Sequence, residues 1–438
     1  MTHVRTPRLA LAALVAAAVS LATGCAGPAP EEPGPMTEFY VDPAAGDDTN
    51  VGSAEKPFRT LTHALTVAES GHTVHLRAGT YDEANGEVWP TQGGSPPVAE
   101  PNVPDGVTIT TDGALAQLVG PGAGTTTSAL VFAGAATVRG VSITGFVRGV
   151  LAGPGTAVRL EDVRVRGSIR EGVFAYGDAE VTLDSCTVRD NAGAGILAQA
   201  AATVTVVGCL VHGNSPGIHV SGSAAVDVTG SEVYENGTVP AGSENSGVHV
   251  EDDGRLTIVD SVVRNNAYVG IHMLNSAAVT VGPGTAIHDN YVGVLADTTK
   301  AAAPSLDVRG ATISANDFEG LAWAVAMGER IRIRDTAIVN NGDNGILLLG
   351  DALEIDLGTA ADPGGNDYSG NDEPLILDAR PARPAADGTV ITISYADTLS
   401  PCLTVAQPVI GPAAMGCGGV TAISILNANN RVEVTFSP

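Results

Sequence analysis

The dipeptide Gly-[Val/Ile/Leu] recurs at Gly149, Gly172, Gly195, Gly217, Gly247, Gly270, Gly293, Gly320 and Gly345, at spacings of 23, 23, 22, 30, 23, 23, 27 and 25 residues. A period in this range means one structural unit repeated, each burying its apolar face only against its neighbours. A second signature recurs inside the intervals: "DSCTVRDN" (184–191), "VGCLVHGN" (207–214), "TGSEVYEN" (229–236), "VDSVVRNN" (259–266), "GPGTAIHDN" (282–290), "RGATISAN" (309–316) and "IRDTAIVNN" (333–341). Between the signatures lie short runs of alternating β-branched residues broken by Gly, Asn and Asp. Turn signals that return in the same register each time do not suit hairpins. They suit one helical coil per interval, each strand pairing in parallel with its equivalent about 4.8 Å away. Inward positions then stack as ladders. Val188, Val211, Val233, Val263, Ile287, Ile313 and Ile338 form one; Asn191, Asn214, Asn236, Asn266, Asn290, Asn316 and Asn341 form another, at a turn where Asn tolerates left-handed backbone.

This pattern resembles the right-handed parallel β-helix of the pectate-lyase-like superfamily over residues from about 75 to 370. The stretch "FYVDPAAGDDTNVGSAEKPFRTLTHALTVAESGHTVHLRAGTYDE" (39–83) resembles the opening segment of many bacterial β-helix proteins, which implies a short capping helix, here over Thr62–Ser70. Such a cap covers a parallel sheet edge that would otherwise be open. The fold class expected is therefore all-β, a parallel solenoid with an N-terminal capping helix and a small C-terminal cap. Residues 37–85 are expected to form the cap and first coil, 86–370 the repeats, and 371–438 a C-terminal cap or small β module entered through "DARPARPAADG" (378–388). The superfamily holds lyases, hydrolases, epimerases and proteins of no known activity, so the resemblance speaks for fold more than for function.

The N-terminus reads as an export signal. Arg5 and Arg8 precede the apolar run "LALAALVAAAVSLA" (9–22), so residues 1–24 are expected to be removed. "LATGC" (21–25) resembles a bacterial lipobox, with Leu21 one place early, and implies lipidation of Cys25. The Pro-rich stretch 26–36 would be a tether of about 3 Å per residue. The expected setting is the bacterial cell membrane or outer membrane, facing periplasm or exterior. The chain carries 22 Lys+Arg against 48 Asp+Glu; loss of Arg5 and Arg8 leaves 20 against 48, a net −28. A surface so acidic repels nucleic acid and favours neutral partners or calcium. The expected partners are the membrane, through the lipid, and polysaccharide, with the chain itself a monomer.

The stretch "SGVHVEDDG" (246–254) draws attention as a site because His249, Glu251, Asp252 and Asp253 crowd together. With Val248 and Val250 inward, His249 points out from its strand. The same slot holds Leu151, Phe174, Leu197, His219, His249, His272, Leu295, Ala322 and Leu347, so three histidines occupy consecutive coils of an otherwise apolar row. Two residues before each repeat glycine lie Tyr268, Tyr291 and Phe318. Rings beside hydrogen-bonding groups suit a sugar face and its hydroxyls. The histidines are open to three readings: stacked rungs, sugar contacts, or ligands of one zinc that Glu251 completes. Asp252 and Asp253 belong to the following turn, and the insertion "GTVPAGSENSG" (237–247) would form a rim beside His219 and His249.

Catalysis is the weaker expectation. Pectate-lyase-type elimination needs a Lys or Arg base plus calcium held by several carboxylates. The outward row has no Lys or Arg, and Lys300 lies in an insertion (296–304). Hydrolysis needs paired carboxylates, and the superfamily's Asn-x-Asp, Asp-Asp, Gly-His-Gly and Arg-x-Lys series is not present in order. The catalytic candidates are His219, His249, His272 and Glu251, and the rival function is a polysaccharide lyase or hydrolase. Asp42, Asp47, Asp48 and Asn50 are calcium-ligand candidates, or turn residues capping backbone groups. Of five cysteines, Cys402 and Cys417 are expected to form a disulfide; Cys186 and Cys209, in equivalent slots of adjacent coils, form either a disulfide or a stacked pair.

Overall fold

The computed structural model describes residues 36–93, 99–113, 115–237, 245–297, 304–324, 330–349, 354–357 and 364–378, and the short strands at 390–395, 404–405, 416–417, 420–421 and 431–436. Within the solenoid, successive described strands do not form hairpins with one another. They wind into three parallel sheets of 15, 11 and 12 strands, each strand hydrogen-bonded to its equivalents in the neighbouring coils. The inward ladder from Val188 to Ile338 is in register throughout, and every member is fully buried. Stacked β-branched side chains fill the core without gaps because each coil repeats the shape below it. No helix among the described residues is long and apolar enough to cross a membrane.

The two sequence signatures turn out to be one structural feature. A Cβ at Gly217 would lie 2.6 Å from the carbonyl oxygen of Gly247 and 2.7 Å from Nδ2 of Asn236. The repeat glycine thus clears the corner where each coil closes, and the signature asparagine occupies the cleared space. Its Oδ1 accepts from the backbone N–H and side-chain amide of the Asn one coil back, as Asn236 does for Asn214 at 3.0 and 3.2 Å. Its Nδ2 donates to a carbonyl of the previous coil, Val211 O at 3.0 Å. The ladder continues one rung further than the signature shows, to Asn371.

One expectation about this corner needs correcting. The left-handed residue is not the ladder asparagine but the one before it: Asp190, Gly213, Glu235, Asn265, Asp289, Ala315 and Asn340 all have φ between 52° and 67°. The asparagines are buried for their side-chain hydrogen bonds, not for backbone tolerance.

The capping helix spans Leu61–Val67, shorter than expected. It starts at Thr60, whose Oγ1 accepts from the N–H of His63, and stops because Ala68 is extended. Glu87, buried beneath it, accepts from the N–H groups of Leu61 and Thr62 at 2.7 and 2.9 Å. Leu61, Ala64 and Leu65 join the core. At the other end, over the residues expected to form a C-terminal cap or small β module, parallel pairing continues past residue 370. Glu373–Asp378, Val390–Tyr395 and Arg431–Phe436 extend two of the parallel sheets, because parallel pairing needs strand register and not the glycine spacing. Gly416–Cys417 and Val420–Thr421 pair antiparallel.

Cys186 and Cys209 are free, buried and stacked. The N–H of Cys186 donates to Sγ of Cys209 at 3.2 Å, and the N–H of Cys209 to Oγ of Ser231 at 3.0 Å. They are rungs of a small-residue ladder and not a cross-link. Cys25 and Cys402 lie outside the described residues, as do residues 238–244 and 298–303 of the two insertions, Lys300 among them.

Candidate functional site

The strands Ile218–Val220, Val248–Val250 and Val269–Leu274 lie side by side and set the three histidines in direct register: His219 against His249, and His249 against His272. The whole outward row pairs as the repeat requires, from Leu151 through Phe174 and Leu197 to Leu295, Ala322 and Leu347. Exposure does not follow from that register. His249 and His272 are each only 2% exposed, where an outward strand position was expected to meet solvent. The physical reason is stacking: the rings pack edge to face, with centroids 4.9 Å apart for His219–His249 and 5.1 Å for His249–His272. Each ring covers its neighbour, and just beyond, Leu295 and Ala322 of the row pack with Val269 and Val292.

Glu251 follows the second histidine strand and turns back over the row. Its Oε1 lies 3.1 Å from Nε2 of His219, and its Oε2 lies 3.8 Å from Nε2 of His249. The hydrogen bond from His219, helped by the proximity of His249, holds the Glu251 carboxyl well below the usual carboxylate range. Nδ1 of His249 is buried without a hydrogen-bond partner. Among the described residues, His219, His249 and Glu251 are the one group of three such side chains whose ligand atoms all fall within 4.8 Å of one another. His272 stacks on the group but stands outside it. Asp252 takes a left-handed turn conformation and accepts from Nδ2 of Asn275, a turn role as expected.

The aromatic residues form a ladder of their own. Tyr268 and Tyr291 stack with centroids 5.6 Å apart at 24°, and Tyr291 meets Phe318 at 4.3 Å and 40°. All three stay exposed, at 38 to 40%. Tyr268 and Tyr291 each directly precede a member of the apolar cluster, Val269 and Val292, and Leu295 of that cluster is the register partner of His272. The aromatic residues thus adjoin, along the chain, the apolar cluster that continues the histidine row.

The calcium candidates are arranged differently. Asp42 accepts from the N–H groups of Ala44 and Ala45 and pairs with Arg77 at 3.1 Å. Asp47 accepts from Thr49, and Asp48 from the N–H groups of Arg59 and Thr60. Asn50 donates to the carbonyl of Pro57. Each of these side chains is engaged in hydrogen bonds that shape the loop, and Asp48 also ties it to the start of the capping helix.

A buried pair that sequence reasoning passed over lies upstream. Arg148 and Glu171 are 3% and 7% exposed and form an ion pair at 2.5 Å, with the Arg148 guanidinium 5.1 Å from the centre of the Phe174 ring. Their place directly before Gly149 and Gly172 was the available signal, since a charged residue there falls inside the repeat corner.

A stretch of the chain is 52% identical over 52 residues to the uncharacterized protein YwoF of Bacillus subtilis; the match spans 12% of this chain and 11% of that protein. The chain is similar in fold to the A-module of the Azotobacter vinelandii mannuronan C-5 epimerase AlgE4, at 18% identity and a TM-score of 0.48, covering 74% of this chain and 93% of that one. Pectate lyase Pel9A is similar over 83% of this chain and 78% of its own, at 13% identity and a TM-score of 0.34. The family described as "Right handed beta helix region" matches residues 128–286 and 217–355. Those ranges cover more than half of the sequence, and the chain belongs to this right-handed β-helix family.

Proposed function

We propose that this is an exported, membrane-anchored β-helix protein that binds glycans along the face carrying Tyr268, Tyr291 and Phe318. The supporting observation is the exposed aromatic ladder. Three large rings left in solvent on consecutive coils make a platform at the repeat of the solenoid, and ring faces bind the apolar face of a sugar while nearby polar groups take its hydroxyls. The net acidity of the chain favours neutral glycans over polyanionic ones. The outward row from Leu151 to Leu347 offers no Lys or Arg as an eliminating base, which weighs toward binding over cleavage.

A glycan array, run with and without calcium, identifies the ligand, and product analysis on any glycan that binds separates binding from lyase or hydrolase activity. Tyr268→Ala and Tyr291→Ala are each expected to weaken that binding about tenfold, since a stacked ring contributes roughly 1 kcal/mol beyond its buried area. Binding unchanged in both variants rejects the aromatic face as the glycan surface. Anchoring is tested apart from this. Cys25→Ala is expected to move the protein from the membrane fraction to a soluble or unprocessed form, and a wild-type N-terminus downstream of Cys25 would show the lipid reading to be wrong.

A further inference from the structure

We propose that His219, His249 and Glu251 form a binding site for a divalent transition-metal ion, zinc being the best match. Two imidazoles and one carboxylate are the ligand set of a zinc site that keeps a fourth position open. The geometry is near what such an ion requires. Ligand atoms bonded to one tetrahedral zinc sit about 3.4 Å apart; here Nε2 of His219 is 3.1 Å from Oε1 of Glu251, Nε2 of His249 is 3.8 Å from Oε2, and one ligand atom from each of the three residues lies within 4.8 Å of the other two. Calcium is a poorer fit, because it takes six to eight oxygen ligands.

Hydrogen bonding alone leaves the arrangement incomplete. His249 is 2% exposed, its Nδ1 has no hydrogen-bond partner, and its Nε2 is too far from Glu251 for a good one. A buried imidazole with so little satisfaction is unfavourable, and an ion bound at Nε2, the nitrogen that faces Glu251, would give the ring the partner that Glu251 at 3.8 Å does not. The edge-on packing of His272 against His249 holds that ring in place. The side chains of His219 and Glu251 remain 17% and 32% exposed, so the ion would be reached from solvent and would carry a water or a ligand group on its open side.

This site is independent of the glycan reading, since its ligands are not the aromatic residues. The test uses the purified protein, stripped of metal with a chelator and titrated with Zn²⁺ at neutral pH by calorimetry. One saturable ion per chain and a raised melting temperature are expected, because an ion that binds only the folded state stabilises it. His219→Ala and Glu251→Gln, both at partly exposed positions, are each expected to weaken Zn²⁺ binding at least about tenfold. Circular dichroism checks that both variants fold. His288→Ala, which removes a surface imidazole beside Asp289, and Tyr291→Ala should bind Zn²⁺ as wild type does. The proposal is overturned if the wild type shows no saturable Zn²⁺ binding, or if folded His219→Ala and Glu251→Gln bind it undiminished. Loss of glycan binding in Tyr291→Ala with Zn²⁺ binding intact would leave each reading standing on its own result.

Discussion

Val263→Asp is expected to lower stability by several kcal/mol, enough to unfold the coils around it at ambient temperature. Val263 is fully buried and lies between Val233 and Ile287 in the inward ladder. A carboxylate there has no partner of opposite charge in the ladder. It must either ionise in an apolar interior or take up a proton, and both are unfavourable. Coils of a solenoid contact only their neighbours, so the damage should begin locally and spread outward. Val262, one residue earlier, is partly exposed and pairs with Glu232 and Ala286 on the outer face. Val262→Thr should change stability by less than about 0.5 kcal/mol, while Val263→Thr, which buries a hydroxyl, should cost about 1–3 kcal/mol. Urea unfolding midpoints measure all three. Equal losses at 262 and 263 would show that the strand presents the opposite face to the core.

How far this architecture is legible in the sequence depends on what carries the information. Register is legible because the period repeats: the outward row from Leu151 to Leu347 and the inward row from Val188 to Ile338 both pair as the spacing requires. The burial of His249 and His272 is not legible, because alternation says which way a side chain points and nothing about what covers it. Glu251 stands out as a carboxylate near histidines. Its reach to His219 in the neighbouring coil depends on the turn that follows Val250, and no pattern states that turn. The strands beyond residue 370 escape for the opposite reason. They keep parallel pairing after the Gly–Val spacing has gone, and a reader of spacing stops where the spacing stops. Asn371 shows the same limit: it extends the ladder by hydrogen bonding to Asn341, although the residues around it no longer carry the signature.

Asn236→Ala and Gly217→Ala are expected each to be strongly destabilising, and together to be less so than their sum. Asn236 is 1% exposed. Its loss leaves the buried N–H of Asn214 without its acceptor and the carbonyl of Val211 without its Nδ2 donor. Two such deficits amount to about 2–4 kcal/mol. Asn214 retains other acceptors for its own amide, at Val188 and His212, which keeps the effect from growing further. Gly217→Ala fails through contact, not conformation. The added methyl would stand 2.6 Å from the carbonyl of Gly247 and 2.7 Å from Nδ2 of Asn236, and a packed corner yields to such overlap at about 1–3 kcal/mol. Removing the Asn236 amide relieves the second overlap and leaves the first, which involves backbone. The double variant should therefore be more stable than additivity predicts by at least about 0.5 kcal/mol, yet remain below either single variant. Urea unfolding of the four proteins completes the cycle. Strict additivity would mean that glycine and asparagine serve the corner separately, and that their recurrence together from Gly172 to Gly320 has some cause other than the space one leaves for the other.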